Sequence, residues 1–303
     1  MKSWKRIAGS ALLALMMPLQ LGAQEGAGDV VYVPTPQIVV DEMLRLAKVG
    51  PKDFVIDLGS GDGRMVITAA KKFGARGFGV DLDTVLLNLS IVNAQREGVA
   101  DRAWFIEQNL FETDLSKATV ITSYLLPEMN ERLRPSILGL KPGTRVVAHD
   151  YNMGEWHPDE ELTLAVPEKK VGNPGVSYVY LWIVPAKIGG RWQSELKTGS
   201  QAATWEFEFT QRFQKFDGVA KSGKLKIKLQ TTTLKGDQLS FMFFTRPGDN
   251  STRHQFKGTV KGDGIEGTLE LGSGAGQKQL PWRAQLLQRA DMAKLFKPRT
   301  MSQ

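Results

Sequence analysis

The stretch Asp57-Leu-Gly-Ser-Gly-Asp-Gly63 constrains this chain more than any other. It follows the short apolar run Phe54–Leu58, which reads as a buried strand. It precedes Met65–Phe73, which reads as a helix stopped by Gly74. Glycines at alternate positions allow left-handed backbone and close approach of a ligand to the main chain. The helix behind them offers free N–H groups at its first turn. A second strand, Gly77–Asp81, ends on an acid eighteen residues past Gly63. A carboxylate placed there can accept both hydroxyls of a ribose. Loop, helix and acid together imply a nucleoside-containing cofactor.

Charge selects which one. A dinucleotide favours G-x-G-x-x-G, because its pyrophosphate sits on the helix N-terminus. This loop spaces its glycines G-x-G-x-G and carries Asp57 and Asp62, which would repel a pyrophosphate. They suit a cation. S-adenosylmethionine (SAM) has an ammonium and a sulfonium, so the motif points to SAM rather than to a nicotinamide cofactor.

Around the motif, strand-like runs alternate with helical ones. Val39–Ala47 and Thr84–Arg96 have helical spacing, and Ala103–Ile106, Thr119–Ser123, Arg145–His149 and Tyr178–Val184 read as strands. Pro135 interrupts a helical stretch over Glu128–Leu140. Alternating βα units predict an α/β fold, a parallel sheet with helices on both faces that binds ligands at the carboxyl ends of its strands. After Pro185 the period changes to two, as in Trp205–Thr210 and Leu225–Leu229, with Gly and Asp punctuating further short runs. That pattern predicts an antiparallel β-sandwich or small barrel. Ile188-Gly-Gly190 reads as a linker, and Arg283–Phe296 as a short amphipathic helix. A length of 303 residues suits two such domains.

Residues 187–303 carry 20 Lys and Arg against 10 Asp and Glu, a net of +10, which leaves −3 for the rest of a +7 chain. The basic half either grips an anionic envelope or membrane surface or uses lysines to blunt its sheet edges. No aromatic-interleaved RNA motif accompanies the charge, so no nucleic-acid partner is expected. With no cysteine, the chain has no disulfide and no thiolate metal site, and three histidines leave little for a metal; none is expected. At the N-terminus, Lys2, Lys5 and Arg6 precede an apolar run from Ile7 to Met17 and a small Ala23. Residues 1–23 are therefore expected to be a secretory signal, and the protein periplasmic or extracellular, or membrane-anchored if the signal is not cleaved. The expected organisation is signal 1–23, cofactor-binding domain 24–186 and basic β domain 187–303.

Residues 32–156 resemble the class I SAM-dependent methyltransferases. They are most similar to the protein-lysine methyltransferases that include the mitochondrial ATP synthase c-subunit and adenine nucleotide translocase enzymes. The residues that carry the likeness are Tyr32-Val-Pro-Thr-Pro36, Asp57–Arg64, Tyr124-Leu-Leu-Pro-Glu128, His149-Asp150 and Gly154-Glu-Trp156. The resemblance implies a seven-stranded Rossmann-like sheet and methylation of a protein lysine. It implies that Asp57, Gly59, Ser60, Gly61 and Gly63 surround the methionine part of SAM and that Asp81 holds the ribose. Asn109 and Leu110 would contact adenine, and Tyr32 and Pro34 would close over the cofactor. Tyr124, His149, Asp150 and Trp156 would line the acceptor's entry. There the aromatics would desolvate the amine, and His149 or Asp150 would either take a proton or only order the loop after the fifth strand. Because SAM is made in the cytosol, an exported chain also admits the alternative of a non-catalytic ligand-binding or envelope interaction protein that kept the fold.

Overall fold

The computed structural model describes residues 31–197, 202–245 and 252–291. The expected signal segment, residues 1–23, lies outside the described residues. No helix among the described residues is long and apolar enough to cross a membrane.

Among the described residues, two sheets organise the chain. The first has seven strands: β1 (Phe54–Leu58), β2 (Arg76–Asp81), β3 (Ala103–Glu107), β4 (Val120–Ser123), β5 (Arg145–His149), β6 (Glu160–Val166) and β7 (Gly175–Ile183). Their order is β3-β2-β1-β4-β5-β7-β6. The first five are parallel, and β7 runs antiparallel between β5 and β6. The connecting helices are α1 (Gln37–Leu46), α2 (Arg64–Phe73), α3 (Thr84–Arg96) and α4 (Pro127–Ile137). This is the expected Rossmann-like methyltransferase sheet. Strands β1, β4 and β5 are almost wholly buried, which is why no alternation of apolar and polar residues marks them. Pro135 does not break α4 but sits in its last turns, close enough to the end that little helix remains to be lost. The strand β6 has no counterpart among the expected elements.

The second sheet has nine antiparallel strands: β8 (Gly190–Lys197), β9 (Ala202–Arg212), β10 (Lys215–Ser222), β11 (Leu225–Lys228), β12 (Gln230–Lys235), β13 (Gln238–Thr245), β14 (Thr252–Lys261), β15 (Gly264–Leu271) and β16 (Lys278–Arg289). In the order β11-β10-β9-β8-β16-β15-β14-β13-β12, the two edge strands are consecutive in sequence. Only Leu229 separates them, so the sheet must curl until its edges meet. Thr232 Oγ1 donates to the Phe216 carbonyl across that seam at 2.6 Å. The result is a barrel rather than a sandwich. Its interior is filled by rings, among them Trp192, Phe207, Phe241, Phe243, Phe256 and Trp282, all fully buried.

Two expectations fail here. The stretch Arg283–Phe296 is not a helix: its first part belongs to β16, which pairs with both β15 and β8, and the part beyond Asp291 is outside the described residues. Backbone pairing on both sides outweighs an ambiguous apolar spacing. Nor is Ile188-Gly-Gly190 a free linker. Ile188 is fully buried in the barrel core, Gln211 Oε1 accepts from the Ile188 and Gly189 N–H groups, and Gly190 opens β8.

The β9–β10 turn docks the barrel on the α/β layer. Phe213, held at φ +54°, packs into the core beneath β4 and β5 and stacks on Trp156 with ring centres 6.0 Å apart. Gln214 Oε1 accepts from Trp156 Nε1 at 3.0 Å, and its Nε2 donates to the His157 carbonyl at 2.7 Å.

Candidate functional site

At the end of β1 the chain turns sharply. Gly59, Gly61 and Gly63 have φ of +77°, +51° and +81°. The Gly59 and Ser60 N–H groups donate to the Val80 carbonyl at the end of β2, tying the turn to the neighbouring strand. A Cβ on Gly61 would run into the Tyr32 ring, so only glycine lets that ring lie on the turn. Asp81 completes the frame: its Oδ2 accepts from Gly61 N at 2.8 Å and its Oδ1 from Asp83 N at 3.0 Å. Two backbone donors thus fix the carboxylate while lone pairs remain for a ligand's hydroxyls.

These elements enclose a cavity of about 240 Å³. Nine of the expected site residues line it: Tyr32, Pro34, Asp57, Gly59, Ser60, Asp81, Asn109, Leu110 and Tyr124. Gly61 and Gly63 do not; they shape the turn underneath. Asp57 is buried at the cavity floor and accepts from Thr122 Oγ1 at 2.5 Å. Burial pushes its carboxyl up to about 7, the Thr122 bond works against this, and the Asp81 and Asp62 charges add to it. A buried acid so loaded lacks a cation. Ser60 Oγ is also buried and has no hydrogen-bond partner within the protein. An uncompensated acid, an unmatched hydroxyl and a fixed carboxylate at ribose height suit the ammonium and ribose of SAM, so the residues fit this cofactor.

Asn109 Oδ1 accepts from Phe111 N at 3.0 Å and caps the turn Leu110–Glu112. That leaves its amide nitrogen as the group able to meet an adenine edge. Sequence reasoning missed Arg64 and Leu82 among the lining residues. Arg64 grips Asp62 through Nε at 2.9 Å and Nη2 at 2.6 Å, and donates to the Thr35 carbonyl at 2.7 Å. Burial opposes ionisation of Asp62, yet Arg64 holds its carboxyl below the usual range. The same pair fastens the segment carrying Tyr32. Burial and the Asp62 charge push the Tyr32 phenol up to about 12. Leu82 is half exposed beside Asp81 and was legible as the residue directly after the ribose acid.

The expected acceptor residues divide. Tyr124 follows β4, lines the cavity, and donates from its hydroxyl to Asp150 Oδ2 at 3.2 Å. Asp150 does not itself reach the cavity. It is buried at φ +61°, where its Oδ1 accepts from Tyr178 N at 3.1 Å and its Oδ2 pairs with Lys169. His149 lies behind Tyr124, fully buried, with Nδ1 3.2 Å from Thr35 Oγ1 and Nε2 2.9 Å from Ser177 Oγ. Burial pushes it down to about 4 despite Asp150. It is therefore a neutral bridge that positions Thr35, not a proton acceptor facing the substrate. Trp156 is likewise misplaced as an acceptor contact. It is fully buried between Trp182, whose Nε1 donates to the Trp156 carbonyl at 2.6 Å, and Phe213 of the barrel.

The model of the ANTKMT methyltransferase domain matches residues 57–160. A protein-lysine N-methyltransferase of Saccharolobus islandicus is 42% identical over 156 residues, covering 50% of this chain and 92% of that protein. The ATP synthase c-subunit lysine N-methyltransferase of Xenopus laevis is 32% identical over 129 residues, covering 42% of this chain and 56% of that protein. Among solved structures, an RNA methyltransferase from Salinibacter ruber in complex with S-adenosyl-L-homocysteine is 48% identical. It covers 52% of this chain and 96% of its own, with a TM-score of 0.47. The chain is a SAM-dependent methyltransferase and belongs to the protein-lysine N-methyltransferase family.

Proposed function

We propose that the chain transfers the methyl group of SAM to the side-chain amine of a protein lysine, and that it does so outside the cytosol. The observation that carries the acceptor class is Tyr124. It faces the cofactor cavity while its hydroxyl is fixed on the buried Asp150 carboxylate, which holds an aromatic ring in one wall of the cavity. The face of such a ring attracts a cationic lysine, and its apolar surface desolvates the ammonium, favouring the neutral amine that can react. SAM supplies an electrophilic methyl on a sulfonium. The residues of this chain bind, align and exclude water: Asp57 and Ser60 at the amino-acid end, Asp81 at the ribose, Leu82 and Asn109 at the base, Tyr32 above. Alignment of two reactants is the main requirement of such a transfer. His149 takes no part in moving the proton, which leaves to solvent.

Export is supported by the basic start, apolar run and small residue of segment 1–23. An anionic partner for the barrel is supported by the net charge of +10 over residues 187–303. Incubation with methyl-labelled SAM and an envelope protein extract, followed by acid hydrolysis, tests the acceptor class. Label is expected in Nε-methyllysine; label in methylated nucleosides, or in neither, would contradict it.

The buried acid also sets a pH dependence. Asp57 is raised in the free chain, and an ammonium beside it favours the ionised form. Binding therefore releases a proton below the raised value, and affinity increases as pH rises. SAM is expected to bind roughly tenfold more tightly at about pH 7.5 than at about pH 6, levelling off above Asp57's own value. Titration calorimetry checks this, with 5′-methylthioadenosine, which lacks the ammonium, as the flat control.

A further inference from the structure

The loop of residues 167–174 joins β6 to β7 beside Tyr124. Pro167, Glu168, Lys170, Val171, Gly172, Asn173 and Pro174 are all exposed or nearly so. Lys169 alone turns inward, its side chain 4% exposed. Its Nζ pairs with Asp150 Oδ2 and donates to the Val176 carbonyl at 2.7 Å. Asp150 Oδ2 is the same oxygen that accepts from the Tyr124 hydroxyl. Gly172, at φ +74°, closes the corner: a Cβ there would stand 3.1 Å from Asp150 Oδ2 and 3.2 Å from the Tyr124 hydroxyl. A buried ion pair is rarely the most stable way to fill such a space, because desolvation offsets the attraction. A surface loop that spends its one inward side chain on an ammonium therefore calls for a reason other than stability.

We propose that Asp150 Oδ2, the Val176 carbonyl and the Tyr124 hydroxyl form the seat of the acceptor's alkylammonium, and that Lys169 occupies it as a stand-in which the acceptor lysine must displace. The proposal rests on the lysine-acceptor function above. The seat lies one carboxylate oxygen away from a ring that lines the cofactor cavity. It presents two acceptors and a hydroxyl, a set that matches the three N–H donors of an ammonium. When the acceptor enters, Lys169 swings out with its exposed loop. From this seat the nitrogen passes the Tyr124 ring into the cavity, gives its proton to solvent and forms the N–C bond with the methyl as the S–C bond breaks with its pair on sulfur. The positive charge passes from sulfur to nitrogen.

The test uses the full chain, n-butylamine as a lysine side-chain probe, and methyl-labelled SAM. Lys169→Ala is expected to bind SAM as the unaltered chain does, and to transfer at least tenfold more label to butylamine. Equal or lower label with normal SAM affinity overturns the proposal, and so does butylamine that raises the variant's melting temperature without being labelled, because the pair is then structural only. Should Lys169→Ala not fold, Lys169→Met replaces it, since it removes the ammonium while keeping the length of the side chain. The same increase, smaller in size, supports the seat, and no increase overturns it. The envelope assay reports on the lysine-acceptor function independently, so the two failures are distinguishable.

Discussion

Replacing Trp156 by alanine is expected to lower the stability of the full chain by about 3–5 kcal/mol, the usual cost of emptying a buried tryptophan site. The indole is fully buried, stacks on Phe213 and hydrogen-bonds Gln214, so its loss opens a void where barrel and α/β layer meet. Gln214 Oε1 also loses its donor. Urea unfolding monitored by circular dichroism measures the loss. Because Trp156 does not line the cavity, the folded variant should bind SAM with unchanged affinity. A loss below about 1 kcal/mol, accompanied by weaker acceptor binding, would return Trp156 to the acceptor's path.

Asp81→Ala is expected to weaken SAM binding by about 1.5–3 kcal/mol, roughly 10- to 150-fold, the worth of hydrogen bonds to a charged group. Two effects combine. The ribose loses its carboxylate, and the Gly61 and Asp83 N–H groups lose the acceptor that fixes the turn. Calorimetry with SAM and with S-adenosylhomocysteine should give equal losses, because the ribose is common to both. A loss for SAM alone would place Asp81 near the sulfonium instead.

How far sequence anticipates structure depends on where each residue's constraint comes from. The helix Thr84–Arg96 is read to the residue because Asp83 caps it locally, accepting from the Val85 and Leu86 N–H groups. The glycine turn is legible because its left-handed backbone allows few other residues. The strand β6 carries a readable period too, since Leu162, Leu164 and Val166 alternate with exposed neighbours, yet it lies outside every expected element. Other features have non-local causes. Trp156 is claimed by Phe213 and by Gln214, the latter 58 residues away, and nothing near it in sequence announces them. At the end of β5, His149 and Asp150 are both buried, and no alternation announces that neither reaches the cavity. Lys169 lies on a polar loop that sequence gives no reason to fold inward. The barrel's closure follows from the adjacency of β11 and β12, visible only once the ladder order is known.

The central claim is that the SAM nucleoside and its ammonium lie over the turn from Gly59 to Gly63, between Asp57 and Asp81. A crystal structure of the full chain grown with S-adenosylhomocysteine tests it most directly. The account predicts density in that cavity, with the ribose hydroxyls on the Asp81 carboxylate and the amino group directed at Asp57. Density elsewhere, or a cavity filled by the Tyr32 ring with the ligand absent at saturating concentration, would contradict it.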